Sequence, residues 1–199
     1  MVLADMKLAG TIPTDVVLFN IDSKSEVNGK QSKVAIVSVL QNVFNEMQGF
    51  SGSNPFLADL ERNLTEEGKY DLFKEKFEES FGSAWEESRS DFDFIQDDVV
   101  EVLDEIGFMS VEAGRNFCEK ATGEYTYKVE DFARLVKKYL DKKESNHHIV
   151  FLIDEIGQYI GDDSKLMLNL QTVTEDLGTA CGGKAVSYTH LTLPTNSRV

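Results

Sequence analysis

Cysteine is nearly absent from this chain of 199 residues: Cys118 and Cys181 are the only two. They stand far apart with no metal-type spacing, which excludes a disulfide-stapled fold or a cysteine zinc site and favours two reduced thiols. Positive charge is also scarce. Lys and Arg number 20 against 35 Asp and Glu, a net charge of −15, which argues against a segment that grips nucleic acid by its phosphates. No apolar run approaches the length of a membrane span, and the first residues lack a signal-peptide pattern. The expectation is a cytoplasmic protein with no membrane contact.

What is present can bury a core. Apolar residues make up 41% of the chain and Phe occurs 13 times, a composition that is not disordered. The acidity is uneven: residues 59–105 hold 17 Asp and Glu against 5 Lys and Arg, a net of −12. Most of the excess thus lies in one stretch.

Two segments read as strands. "TDVVLFNIDS" (14–23) and "HHIVFLIDE" (147–155) are near-continuous apolar runs without polar alternation, which suits strands covered on both faces in a parallel sheet. The connection between them exceeds a hundred residues, so it must carry structure of its own. It reads as helices. Ile36, Val39, Leu40, Val43 and Met47 fall at helical spacing, and Asn54-Pro55 opens a helix through Phe56, Leu57, Leu60 and Leu64. Tyr70, Phe73, Phe77 and Phe81 stripe the next. Val99, Val102, Leu103 and Ile106 line another. Val129, Phe132, Leu135, Val136, Tyr139 and Leu140 line the last before the second strand. Beyond it, Asp163 caps a helix of about 164–180 carrying Leu166, Leu170, Val173 and Leu177, stopped at Gly182-Gly183.

"IVFLIDEIGQYIGDD" (149–163) sets Asp154 and Glu155 directly after five apolar residues. A strand ending in Asp-Glu can deliver two acids to a magnesium ion and an attacking water beyond the sheet's C-terminal edge. The partner motif for such chemistry, GxxxxGK(S/T), holds phosphates on backbone amides. It is missing. "VNGKQSK" (27–33) offers Gly29-Lys30, but position 24 is Lys and position 31 is Gln, so a solvated helix start is the better reading.

Other candidates have plainer readings. His147 and His148 lack Cys or acids at ligand spacing and suit a surface strand start better than a metal. Asp22 reads as a turn or cap acid, Asp162-Asp163 as a turn and cap. The aromatic stripe over 70–81 reads as core. The acidic stretch could be a protein-interaction module without nucleotide chemistry, or a mimic of DNA charge. Phe and Leu interleave with its acids at core spacing, which favours an ordinary solvated face.

"IPTDVVLFNIDSKSEVNGKQSKVAIVSVLQNVFNEMQGFSG", "VEDFARLVKKYLDKK" and "VFLIDEIGQYIGDDSKLMLNLQTVTEDLGTACGGKA" resemble the N-terminal ATPase region of the BrxC (PglY-like) family, large P-loop proteins of BREX bacteriophage-defence systems. The resemblance covers about 1–185. It implies an α/β fold: an incomplete P-loop NTPase (ASCE-type) parallel sheet with a strand at 15–22, a mainly helical insertion at about 54–145, a Walker B strand at 149–155 and the helix at about 164–180. By position, Asp154 matches the Walker B aspartate that reaches Mg²⁺, through water, and Glu155 the catalytic glutamate. ATP and Mg²⁺ are the implied cofactors, and sister subunits and other BREX proteins the implied partners. In that family the phosphate-binding loop precedes the first strand seen here. The chain therefore reads as a fragment, expected to be inactive alone. Residues 186–199, "VSYTHLTLPTNSRV", look like a translated sequencing adapter and are expected to lie outside the fold, His190 included.

Overall fold

The computed structural model describes residues 10–21, 33–161 and 163–189, together with Lys7. Strand β1 (Thr14–Asn20) leads through helices α1 (Lys33–Met47), α2 (Pro55–Glu66), α3 (Tyr70–Phe81), the short α4 (Trp85–Ser88), α5 (Gln96–Glu105), α6 (Val111–Ala121) and α7 (Val129–Leu140) to β2 (His148–Asp154). A one-turn α8 (Ile156–Ile160), then α9 (Ser164–Ala180) and β3 (Ala185–Thr189), complete the described chain. It is an α/β structure whose described strands form one parallel sheet in the order β1-β2-β3.

The chain divides into two compact units, one from the described residues of Met1–Val43 and Tyr127–Val199, the other Phe44–Thr126. The sequence placed the helical insertion at about 54–145, but α7 belongs with the sheet. The reason is its apolar stripe: Phe132, Ala133, Val136 and Leu140 are buried, and Phe132 meets Phe151 of β2 edge to face at 6.0 Å between ring centroids.

In the sheet unit, β1 and β2 pair in parallel from Thr14 opposite His148 to Asn20 opposite Asp154. The strand expected at 15–22 thus occupies 14–20, and Asp22 lies outside the described residues, as do Gly29, Lys30, Asp162 and His190. One face of the sheet is packed: Val17, Phe19, Ile149, Phe151, Ile153 and Ala185 are all buried. The other is not. Val16 is 56% exposed and Leu18 71%, so among the described residues the strands are covered on one face only, not on both as expected. The physical reason is topological. Parallel crossovers are right-handed almost without exception, so two crossovers that step the same way across a sheet put their helices on the same face.

β3 takes in the first four residues of the stretch 186–199 expected to lie outside the fold. Val186, Ser187, Tyr188 and Thr189, assigned from sequence to an extraneous tail, pair in parallel with Val150, Phe151, Leu152 and Ile153. Backbone pairing needs only extended residues beside a free edge, and the central strand offers one.

The helical unit is held by a core that includes Leu57, Leu60, Leu64, Phe73, Phe77, Trp85, Val99, Val102 and Leu103. Caps define its helices. Asn54 accepts from the backbone N–H groups of Phe56 and Leu57 at 3.0 and 3.3 Å, with Pro55 following as the first helical residue. Ser110 caps α6 through Ala113 N–H at 3.3 Å. Gly82 ends α3 at φ 87°, a left-handed position that costs glycine nothing. Trp85 stands edge-on to Phe73 and Phe77, at 5.1 and 5.2 Å between centroids.

At the heart of this unit lies a fully buried carboxylate, Glu61. It accepts from Ser51 N–H at 2.5 Å, Trp85 Nε1–H at 2.7 Å, Arg89 Nη1–H at 2.8 Å and Tyr70 O–H at 3.1 Å. Four donors, one of them cationic, give it the partners a buried charge requires. The Tyr70 phenol is pushed well above its ordinary pKa by burial and by the adjoining Glu61 charge. Burial likewise pushes the Cys118 thiol up to about 11 and raises that of Cys181. Both cysteines are free.

Candidate functional site

The segment Ile153-Asp154-Glu155-Ile156 turns a strand into a helix within two residues. Ile153 and Ile156 are buried at 2% and 0% exposure, so the backbone is pinned on either side. Asp154 and Glu155 between them are exposed. The sequence pattern of apolar, acid, acid, apolar is therefore also the burial pattern.

Two successive residues of a strand point to opposite faces. The chain avoids this at Glu155, which takes φ 57°, ψ 16°. Among the described residues it is the only non-glycine with positive φ. A side-chain-bearing residue in this left-handed region is disfavoured by roughly 1–2 kcal/mol, and such conformations gather where function over-determines the backbone. Here the turn keeps Glu155 at the C-terminal edge beside Asp154 rather than sending it through the sheet.

The acids are held in place. Asp154 Oδ1 accepts from the Glu155 backbone N–H at 2.9 Å, which orients its carboxylate and leaves Oδ2 outside that bond. Glu155 Oε2 accepts from Asn20 Nδ2 at 2.5 Å. Asn20 closes β1 directly opposite Asp154 in the ladder, so strand register places an amide donor next to the acid pair. Nothing in the sequence around Asn20 marks it as part of a site; only the pairing of strands 135 residues apart does. α8 begins from the Glu155 carbonyl, which accepts from Gln158 N–H and Tyr159 N–H, both at 3.1 Å. Asp163 then caps α9 through Lys165 and Leu166 N–H at 2.8 and 3.3 Å, the role expected of it.

A hard divalent cation such as Mg²⁺ is bound through one or two carboxylates, several retained waters and substrate phosphates. Asp154 and Glu155 supply the carboxylate part of that set. Among the described residues no three His, Cys, Asp or Glu side chains gather as a metal-binding group. The backbone cradle that would hold phosphates is likewise not among the described residues.

The opposite, N-terminal edge carries a different cluster. Asp15 Oδ2 accepts from Tyr139 O–H at 2.5 Å and pairs with His147 Nε2 at 2.7 Å. Burial raises the Asp15 pKa, but the hydrogen bonds from Tyr139 and His147 outweigh it and hold the carboxyl below its ordinary value. The Tyr139 phenol is raised by burial and by Asp15. His147 is thus tucked against a carboxylate rather than standing on the surface, while His148 Nδ1 lies 2.8 Å from the Asn146 carbonyl.

No helix among the described residues is long and apolar enough to cross a membrane. No family model matches this chain, and a search of solved structures returned no significant match.

Proposed function

We propose that this chain is part of an ATP-hydrolysing P-loop domain of the kind its sequence resembles, the BrxC-like proteins of phage defence. The observation that carries the reading is the Asp154–Glu155 turn. Two exposed acids stand together at the C-terminal edge of the central strand of a parallel sheet, one in a disfavoured backbone conformation and steadied by Asn20. A strand that merely surfaced would have no need of that conformation.

In this reading Asp154 would hold Mg²⁺ through water, and Glu155 would accept a proton from the attacking water. Asn20 holds the Glu155 carboxylate on the correct side. Bound Mg²⁺ would supply neutralisation of phosphate charge, the dominant need in phosphoryl transfer. Nucleotide crevices in open α/β sheets lie where strand order reverses. The order β1-β2-β3 contains no reversal, so the reading requires a further strand and the phosphate-binding loop from outside the described residues. Sister subunits and other defence proteins are the partners that follow, and the cytoplasm is the compartment.

The alternative, an acidic interaction module, has less support. Phe73 and Phe77 of its aromatic stripe are fully buried core, and Phe94, 89% exposed, is a lone apolar side chain of a kind common on surfaces.

Steady-state ATPase and nucleotide-binding assays on a protein carrying the upstream loop provide the test. Glu155→Gln should retain ATP binding and slow turnover by roughly 10²–10⁴-fold, as expected for loss of a general base. Asp154→Ala should weaken magnesium-dependent binding. The 199-residue chain by itself should show no turnover. Wild-type rates with Gln at 155 would reduce the acids to the end of a strand.

A further inference from the structure

The long connection between β1 and β2 leaves the sheet unit after Val43 and returns to it at Tyr127. Its two ends meet: Tyr127 O–H reaches Asn42 Oδ1 at 3.4 Å. A domain whose ends lie close together can be set into a loop of another at little cost in chain entropy. The sheet unit has its own interior on either side of that point. Ile36, Val39 and Leu40 of α1, Phe132 and Val136 of α7, and Ile149 and Phe151 of β2 are all buried, and all belong to the unit that the connection interrupts.

Residues 44–126 hold what an independent fold requires. They exceed the roughly 55–65 residues at which many domains fold alone. Their apolar cluster extends from Leu57 through Phe73, Phe77, Trp85 and Val99 to Ala121. Their buried carboxylate, Glu61, takes its donors Ser51, Tyr70, Trp85 and Arg89 from the same unit. Asn54 Nδ2 donates to the Ala121 carbonyl at 3.1 Å, tying the start of α2 to the end of α6. The continuous element at the entry is α1 (Lys33–Met47), whose last turn lies beyond Val43.

We propose that residues 44–126 are a self-contained folding module set into the sheet unit, which unfolds and refolds while the sheet and its acid pair stay intact. The last turn of α1 goes with the module. This stands on packing and does not rest on nucleotide chemistry. The full chain tests it with one probe for each unit. Trp85 emission in urea follows the module, and native-state amide hydrogen exchange across the β1–β2 ladder follows the sheet. Glu61→Leu should lower the Trp85 midpoint and leave ladder protection within about twofold of wild type. Phe132→Leu should lower ladder protection roughly tenfold and leave the Trp85 midpoint in place. If Glu61→Leu unfolds the module outright, a ladder still protected supports the proposal equally, and Glu61→Gln supplies the graded case. Ladder protection and Trp85 midpoint falling together in either variant would overturn it, since the chain would then be one cooperative unit.

Discussion

Glu61 shows how much one residue can carry in a unit with little positive charge. Its carboxylate gathers Ser51, Tyr70, Trp85 and Arg89, which come from α3, α4 and the turns that flank α2 and α4. Removing it takes the carboxylate from Arg89, which keeps only the Gly49 carbonyl at 3.1 Å, and from two ring donors. Glu61→Leu should therefore cost about 3–5 kcal/mol, the range for breaking a buried pair from one side, and Glu61→Gln distinctly less, because the amide oxygen still accepts. Trp85 is the only tryptophan, so its emission during urea unfolding reports this unit alone. An unchanged midpoint in Glu61→Leu would show that the network is not a support.

The Asp15–Tyr139–His147 cluster makes a residue-scale prediction in pH. Asp15 is depressed in the folded state, so its contribution is present above its ordinary pKa of about 3.9 and is lost as pH falls through the lower folded value. Tyr139 is raised, so its contribution is present below about 10 and is lost as pH climbs past that range. Tyr139→Phe should thus destabilise by about 1 kcal/mol near neutrality. Melting curves from pH 2.5 to 11 should show the two proteins converging at both ends. A constant gap across the range would refute the assignment.

At the scale of elements, most helices were legible because each had a periodic stripe and a recognisable end. Asn54-Pro55 opens α2, Asp163 opens α9, and Gly182-Gly183, at φ 59° and 79°, follow its end. Such signals act within a few residues and need no tertiary partner. β3 carried none. Its alternation, Val186-Ser187-Tyr188-Thr189, is only four residues long and has no buried apolar run, and it exists because the free edge of β2 accepts an extended segment. That sets residues 186–189 apart from the expectation of a tail outside the fold, while 190–199 lie outside the described residues. A chain ending at Ala185 loses four of the five residues of β3 and uncovers the β2 edge beside Phe151 and Ile153. It should melt at lower temperature and aggregate more readily, since a bare apolar edge pairs with other chains. Unchanged melting and light scattering would restore the view that these residues are dispensable.

At the scale of the whole molecule, a sheet unit and a helical unit divide the labour. The helical unit holds most of the acidity, yet Leu57, Leu60, Leu64, Phe73, Phe77, Trp85 and Leu103 are interior, so the charge is the solvated side of packed helices. The sheet unit holds the acid pair at one edge and, among the described residues, an exposed apolar face, and both follow from its parallel strands. A parallel sheet puts every strand's C-terminal end on one edge, where Asp154 and Glu155 emerge, and same-direction crossovers put their helices on one side.

The sequence by itself determined most of the helices, though not those at Trp85–Ser88, Val111–Ala121 and Ile156–Ile160, together with the two apolar strands, the reduced thiols and the candidate acids at 154 and 155. Each of these depends on composition or on neighbours a few positions away, where periodicity, caps and turn residues act. Only the tertiary structure decided that α7 joins the sheet, that residues 186–189 make a strand, that Asn20 meets Glu155 and that Glu61 is a hub. It also decided that the described helices pack on one face of the sheet, leaving Val16 and Leu18 of the other exposed. Those are pairings between residues distant in the chain or consequences of crossover handedness, and no local pattern encodes either.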